Sequence, residues 1–172
     1  MNYPKETSDG ERAVDEFIEA SRSEFTCLEK ADSISDMTRG IDLWFDIELE
    51  GKRYSGLGID VKAMKSIRRG HPKQDKFHWL ELQDVHGGNG SLYSYANFIA
   101  FETSESFIIV NRPRIVRELE KKLIEDFVPE ASMALYRYYG RPGRKDVITL
   151  VETSWLREIM WKEVSKNDPT TS

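Results

Sequence analysis

Residues 41–49 read Ile-Asp-Leu-Trp-Phe-Asp-Ile-Glu-Leu, an unbroken alternation of side-chain character. A period of two places Ile41, Leu43, Phe45, Ile47 and Leu49 on one face of an extended strand, and Asp42, Trp44, Asp46 and Glu48 on the other. No helix can bury that pattern on one side. Glu50-Gly51-Lys52-Arg53 follows as a turn, and a second strand is predicted over about residues 54–63. There Leu57, Ile59 and Val61 share one face, and Gly56, Gly58, Asp60 and Lys62 the other. The two segments form an antiparallel hairpin. Matching their apolar faces restricts the register, because a slip of one residue would turn Asp60 and Lys62 toward the core. Asp42 is therefore expected opposite Asp60 or within a residue of it, with Lys62 on the same face. Directly opposed side chains have Cβ atoms about 5 Å apart.

The rest of the chain supplies elements around this hairpin. Asp9 is read as the cap of a helix over about residues 10–30, with Val14, Phe17, Ile18, Phe25 and Leu28 on its apolar stripe. Glu24 falls on that stripe, and Cys27 on the helix's apolar side as a buried small residue. A third strand is expected from Phe77 to Val85, with Phe77, Trp79, Glu81 and Gln83 on one face. The Gly-Gly-Asn-Gly run at 87–90 is a turn. Phe98–Phe101 and Phe107–Val110 read as a hairpin, and Pro113 opens a helix to about Phe127. A short helix at about 130–139, a strand at 146–151 and a helix from Ser154 to about Val164 complete the order. Helix, strands, then helices indicates an α+β (mixed α/β) fold with a largely antiparallel sheet flanked by helices. One domain over 1–165 is expected, its core at about 10–127 and its extension at 128–165, with a frayed tail at 166–172.

Composition narrows the function classes. The chain has 172 residues and a net charge of -5, against a non-specific coat on nucleic acid. Its single cysteine excludes an intramolecular disulfide framework and any multi-cysteine metal site. No apolar run approaches the roughly 20 residues of a membrane helix, and residues 1–16 lack the basic and apolar regions of a secretory leader. A cytoplasmic location without a membrane partner is the expectation. Charge is nevertheless uneven. Residues 62–76 carry Lys62, Lys65, Arg68, Arg69, Lys73 and Lys76 against Asp75 alone, a candidate anion site as well as a candidate solvated loop. His71, His78 and His86 lack metal-motif spacing and read as surface or turn residues. The Arg137–Tyr138–Tyr139–Gly140–Arg141 stretch, followed by Arg144 and Lys145, mixes aromatics with cations as single-strand binders do; core packing is the competing account of its tyrosines.

The hairpin's polar face carries the chemistry. Like charges opposed across a hairpin destabilise it. A hard divalent cation relieves that repulsion, since Mg²⁺ binds one or two carboxylates and keeps several waters. Such an ion polarises a phosphoryl oxygen and acidifies a bound water, and a lysine two residues along can orient that water. The competing reading pairs Asp42, Asp46, Glu48, Asp60 and Lys62 in cross-strand salt bridges, worth a few tenths of a kcal/mol each, about the value of exposed pairs.

Asp42 on one strand and Asp60-Val61-Lys62 on the next resemble the PD-(D/E)XK nuclease superfamily, over roughly residues 10–110. The chain departs from that pattern in having Ile41 where proline often precedes the first aspartate. The resemblance implies a restriction-endonuclease-like mixed sheet and Mg²⁺- or Mn²⁺-dependent hydrolysis of phosphodiesters, DNA ahead of RNA. Asp42 and Asp60, with the Val61 carbonyl, would bind the metal, and Lys62 would position the attacking water. Glu81 or Glu24 would support the metal or its water, with Glu16 the alternative helix carboxylate. Lys65, Arg68 and Arg69 would hold the substrate backbone, and Gln83 would line the site. Glu81-Leu82-Gln83 is a second motif of the same shape, in which Asp60 would become the first aspartate. Relatives of this fold often act as dimers, and small nucleases of phages and mobile elements match the chain in size. A catalytically inactive module of the same fold, binding nucleic acid or a protein, is the alternative.

Overall fold

The computed structural model describes residues 8–34 and 39–166; the tail predicted at 166–172 lies outside them except for Lys166. Among the described residues the fold is mixed α+β, with three helices and ten strands. The strands are β1 (Thr26–Lys30), β2 (Leu43–Leu49), β3 (Lys52–Lys62), β4 (Phe77–Gln83), β5 (Phe98–Glu102), β6 (Ser106–Asn111), β7 (Ile124–Phe127), β8 (Arg137–Tyr138), β9 (Val147–Glu152) and β10 (Lys162–Ser165). The helices are α1 (Asp9–Ser21), α2 (Arg112–Glu120) and α3 (Thr153–Ile159). No helix among them is long and apolar enough to cross a membrane.

Six strands form the main sheet in the order β1-β2-β3-β5-β6-β10. All its pairings are antiparallel except β3 with β5. One face packs on α1 through Phe17, Leu43, Phe45, Ile59, Val61, Phe107 and Ile109. The opposite face, through Ile99, Phe101, Ile108 and Val110, packs on α2, α3 and the β4–β9 ribbon. The sheet thus lies between two apolar layers, which explains why β5 and β6 are buried on both sides.

The hairpin forms as its alternation dictates. Glu50 and Gly51 both take positive φ, 52° and 75°, and join β2 to β3 as a two-residue turn of the type that suits strand twist. Leu49 pairs with Lys52 and Ile47 with Tyr54, but Phe45 pairs with Leu57 and Leu43 with Ile59. The ladder has gained one residue on β3, a bulge opposite Asp46. Gly56 occupies it with φ of 69°, and Asp46 fastens it by accepting the Gly56 N–H at 2.9 Å and Arg53 at 2.8 Å.

Several predicted boundaries are corrected. α1 stops at Ser21, and Ser8, not Asp9, caps it by accepting the Glu11 N–H. The predicted helix to residue 30 instead turns into β1, because Thr26–Lys30 gains a partner in β2. Cys27 stands exposed on that edge strand. The Pro113 helix ends at Glu120, and Ile124–Phe127 is a strand paired with β8 in place of the helix expected at 130–139. The last helix ends at Ile159, and Lys162–Ser165 becomes β10 on the edge of the main sheet.

Candidate functional site

Asp42 stands one residue beyond the paired part of β2 and straddles Asp60. Its N–H donates to the Ile59 carbonyl at 2.9 Å, and its carboxylate accepts the Val61 N–H at 2.7 Å. Asp60, one residue past Ile59, is buried at 5% exposure. It pairs with Ile99 in the parallel β3–β5 register and so shares the sheet face covered by the β4–β9 layer. Lys62, two residues on, reaches back to Asp60 with Nζ 3.1 Å from Oδ2. The expected meeting of Asp42, Asp60 and Lys62 is present.

The electrostatics follow from that crowding. Burial, and then the neighbouring Asp60, push the Asp42 carboxyl up to about 6. Burial opposes the Lys62 charge, but Asp60, Asp42 and Glu81 outweigh it and hold the ammonium above its ordinary value. Burial lowers Lys65, aided by repulsion from Lys62 and Arg141. Two carboxylates pressed together and a fixed cation beside them form a polar centre on an otherwise apolar sheet face.

Lys62 and Glu81 line a cleft of about 1200 Å³. The predicted cations Lys65, Arg68 and Arg69 line it, together with Lys73, Arg141 and Arg144. Some are neutralised: Lys73 by Asp9 at 2.5 Å, Arg141 by the buried Asp146, and Arg68 weakly by Glu130 at 3.8 Å. Lys65, Arg69 and Arg144 have no salt bridge among the described residues. Glu81 is held by the Ser91 N–H at 3.0 Å. Gly90 packs so tightly on the Glu81 carbonyl that a Cβ there would collide with it.

Other predicted residues stand elsewhere. Glu24, beyond the end of α1, binds Lys162 of β10 at 2.5 Å. Glu16 pairs with Arg12 and Lys166. Gln83 donates to the Lys145 carbonyl at 2.5 Å and does not line the cleft; the bulge between Glu81 and Gln83 on β4 breaks their shared ladder. Val61 meets Asp42 through its N–H. His78, expected at the surface, is buried at 4% exposure beside Phe101.

Sequence reasoning undervalued the Tyr139–Arg144 segment. Tyr138 does pack on Phe127, but Tyr139, Arg141 and Arg144 line the cleft beside Trp79. The alternation of aromatic and cationic residues was the available signal. Comparison with protein-family models, with curated proteins and with solved structures finds no match to the chain.

Proposed function

We propose that the protein is a divalent-metal-dependent nuclease of the PD-(D/E)XK kind, acting on DNA ahead of RNA. The observation that carries this reading is the bracketing of Asp60 by Asp42, with Lys62, which lines the cationic cleft, 3.1 Å from the Asp60 carboxylate. The donor set suits a hard ion. Two carboxylates share one spot, where burial first and the neighbouring Asp60 second raise the Asp42 carboxyl, and a bound cation would offset both. Among the described residues no cluster of three His, Cys, Asp or Glu side chains forms a metal cage, and a site that retains several waters does not require one.

Asp42 and Asp60 would hold Mg²⁺ or Mn²⁺. When bound, the ion supplies a polarised phosphoryl oxygen and a more acidic water. Lys62, held in place by Asp60, presents an ammonium that can orient a water or meet charge growing on the phosphate. Glu81, fixed by the Ser91 N–H, adds a carboxylate to the cleft that Lys62 lines. Lys65 and Arg69 would take phosphate oxygens on either side of the scissile bond, contacts that position the strand without reading its sequence.

The test is cleavage of supercoiled plasmid, linear duplex, single-stranded DNA and RNA with Mg²⁺, Mn²⁺ or EDTA. Cutting that needs the metal and disappears in Asp60→Ala and Lys62→Ala is expected. Unchanged cutting in either variant would remove the reading. One observation favours a binding module without catalysis: the Asp60 carboxylate is paired with Lys62. That reading requires metal-independent binding and no cleavage of any substrate by the folded protein.

A further inference from the structure

The cleft holds more than charge. Trp79, on β4, and Tyr139, just beyond β8, line it with ring centroids 6.2 Å apart. The Trp79 ring is tied by its side chain and Tyr139 by its backbone. The Trp79 indole donates to the Ser66 carbonyl at 3.3 Å, tying the ring to the basic loop. Tyr139 exchanges both of its backbone hydrogen bonds with Ile148, at 2.8 and 2.9 Å. Lys65 and Arg144 carry no salt bridge among the described residues and line the same cleft.

Cations that follow a backbone, interleaved with immobilised aromatic rings, serve a strand whose base faces are open. Every base presents a π-face when unpaired, and stacking on an aromatic side chain contributes about 1–3 kcal/mol per base. A duplex hides those faces in its own stack and offers a protein only phosphates and groove edges. Two aromatic rings among the cleft's lining are of little use to a paired helix. Cations alone would suffice for duplex phosphates.

We infer that the cleft selects unpaired nucleic acid, with Trp79 and Tyr139 stacking bases while Lys65, Arg69 and Arg144 hold the intervening phosphates. This deepens the nuclease reading and rests on it for the identity of the polymer, but it concerns recognition and is scored separately from cutting. Both single-stranded DNA and single-stranded RNA present the chemistry the cleft fits.

The experiment is fluorescence anisotropy in EDTA with one labelled mixed sequence offered as single-stranded DNA, as single-stranded RNA and as blunt duplex DNA. Either single strand is expected to bind at least about tenfold more tightly than the duplex, the worth of one stacking contact. Trp79→Leu and Tyr139→Leu should each lose about tenfold on the single strand and little on the duplex. Trp79→Phe keeps a stacking face and should retain most of the affinity, so the idea stays testable if the leucine variant misfolds by circular dichroism. Equal or tighter duplex binding, no binding of either strand, or single-strand binding insensitive to both rings overturns the inference. Metal-dependent duplex cutting with no single-strand preference sinks this inference alone. Ring-dependent single-strand binding without any cleavage supports it and sinks catalysis alone.

Discussion

The Asp42 carboxylate accepts the Val61 N–H at 2.7 Å, spanning the residue between, so the two strands of the hairpin are locked together across Asp60. This contact is local, yet it places two like charges side by side in a half-buried position. Its consequences can be measured with and without metal.

The Asp42 carboxyl is raised from 3.8 to about 6. A raised acid contributes stability below pH 3.8, and that contribution is lost as pH rises through about 6. The loss is at most about 3 kcal/mol. Asp42→Asn retains an acceptor for the Val61 N–H and carries no charge. It should raise the melting temperature at neutral pH without metal and abolish cleavage. Mg²⁺ should raise the melting temperature of the wild type and leave the variant unmoved. A variant less stable than wild type at neutral pH would count against the repulsion.

His78 has the opposite sign over nearly the same range. Burial holds its imidazole down to about 4, against attraction from Asp75 and Glu102 and with repulsion from Arg157. Its Nε2 has no hydrogen-bond partner among the described residues. The unfolded chain takes up the proton at about 6.5, so folded stability falls as pH drops from there toward 4, by about 3 kcal/mol. Denaturant titrations of His78→Leu should show that slope removed. In Asp42→Asn it should be steeper than in wild type, because the opposing contribution is gone.

Glu102 is fully buried at the end of β5. Arg12 of α1 donates to both of its oxygens at 2.8 Å, Lys166 lies at 2.9 Å, and the Met64 N–H donates at 3.0 Å. Burial would raise the carboxyl, but these partners hold it at about 2. Its contribution is present above pH 4.5 and lost as pH falls toward 2. Glu102→Gln should cost about 3–5 kcal/mol in urea unfolding, as expected when one partner of a buried pair is removed. Arg12→Met in the same background should recover part of that cost.

Gly90→Ala forces a methyl group against the Glu81 carbonyl. The strand end must shift, at a cost of about 1–3 kcal/mol. Cleavage should fall further than the stability change accounts for, because the Ser91 N–H that fixes Glu81 moves with it. Equal activity per folded molecule would place Glu81 outside the chemistry.

Glu24→Gln breaks only its ion pair with Lys162. It should cost less than about 1 kcal/mol and leave any cleavage rate unchanged. A rate loss would return this residue to the site from which its position in the fold separates it.

The hairpin was legible because strand periodicity leaves few solutions. Counted back from the Glu50-Gly51 turn, an unbroken ladder would set Asp42 against Ile59. The two apolar faces demanded the other parity, and the bulge at Gly56 supplies the missing residue. The β5–β6 hairpin was equally plain in its apolar runs. Elements whose identity depends on a distant partner were not. Thr26–Lys30 and Lys162–Ser165 have helical spacing but become strands where β2 and β6 offer edges. The carboxylates and basic loop were visible as residue types. The role of Tyr139 and Arg144 in the cleft was not, because β9 and the loop before it bring them there from far along the chain.

β6 carries Phe107-Ile108-Ile109-Val110, four consecutive residues with no solvent exposure. Such a run, with its backbone groups open, is a template for pairing between molecules. β10 covers that edge and turns Glu163 and Ser165 outward. The last described strand is thus a seal against self-association. A chain cut before Trp161 would retain the acidic hairpin and the cleft's cations, and its first difficulty would be remaining in solution.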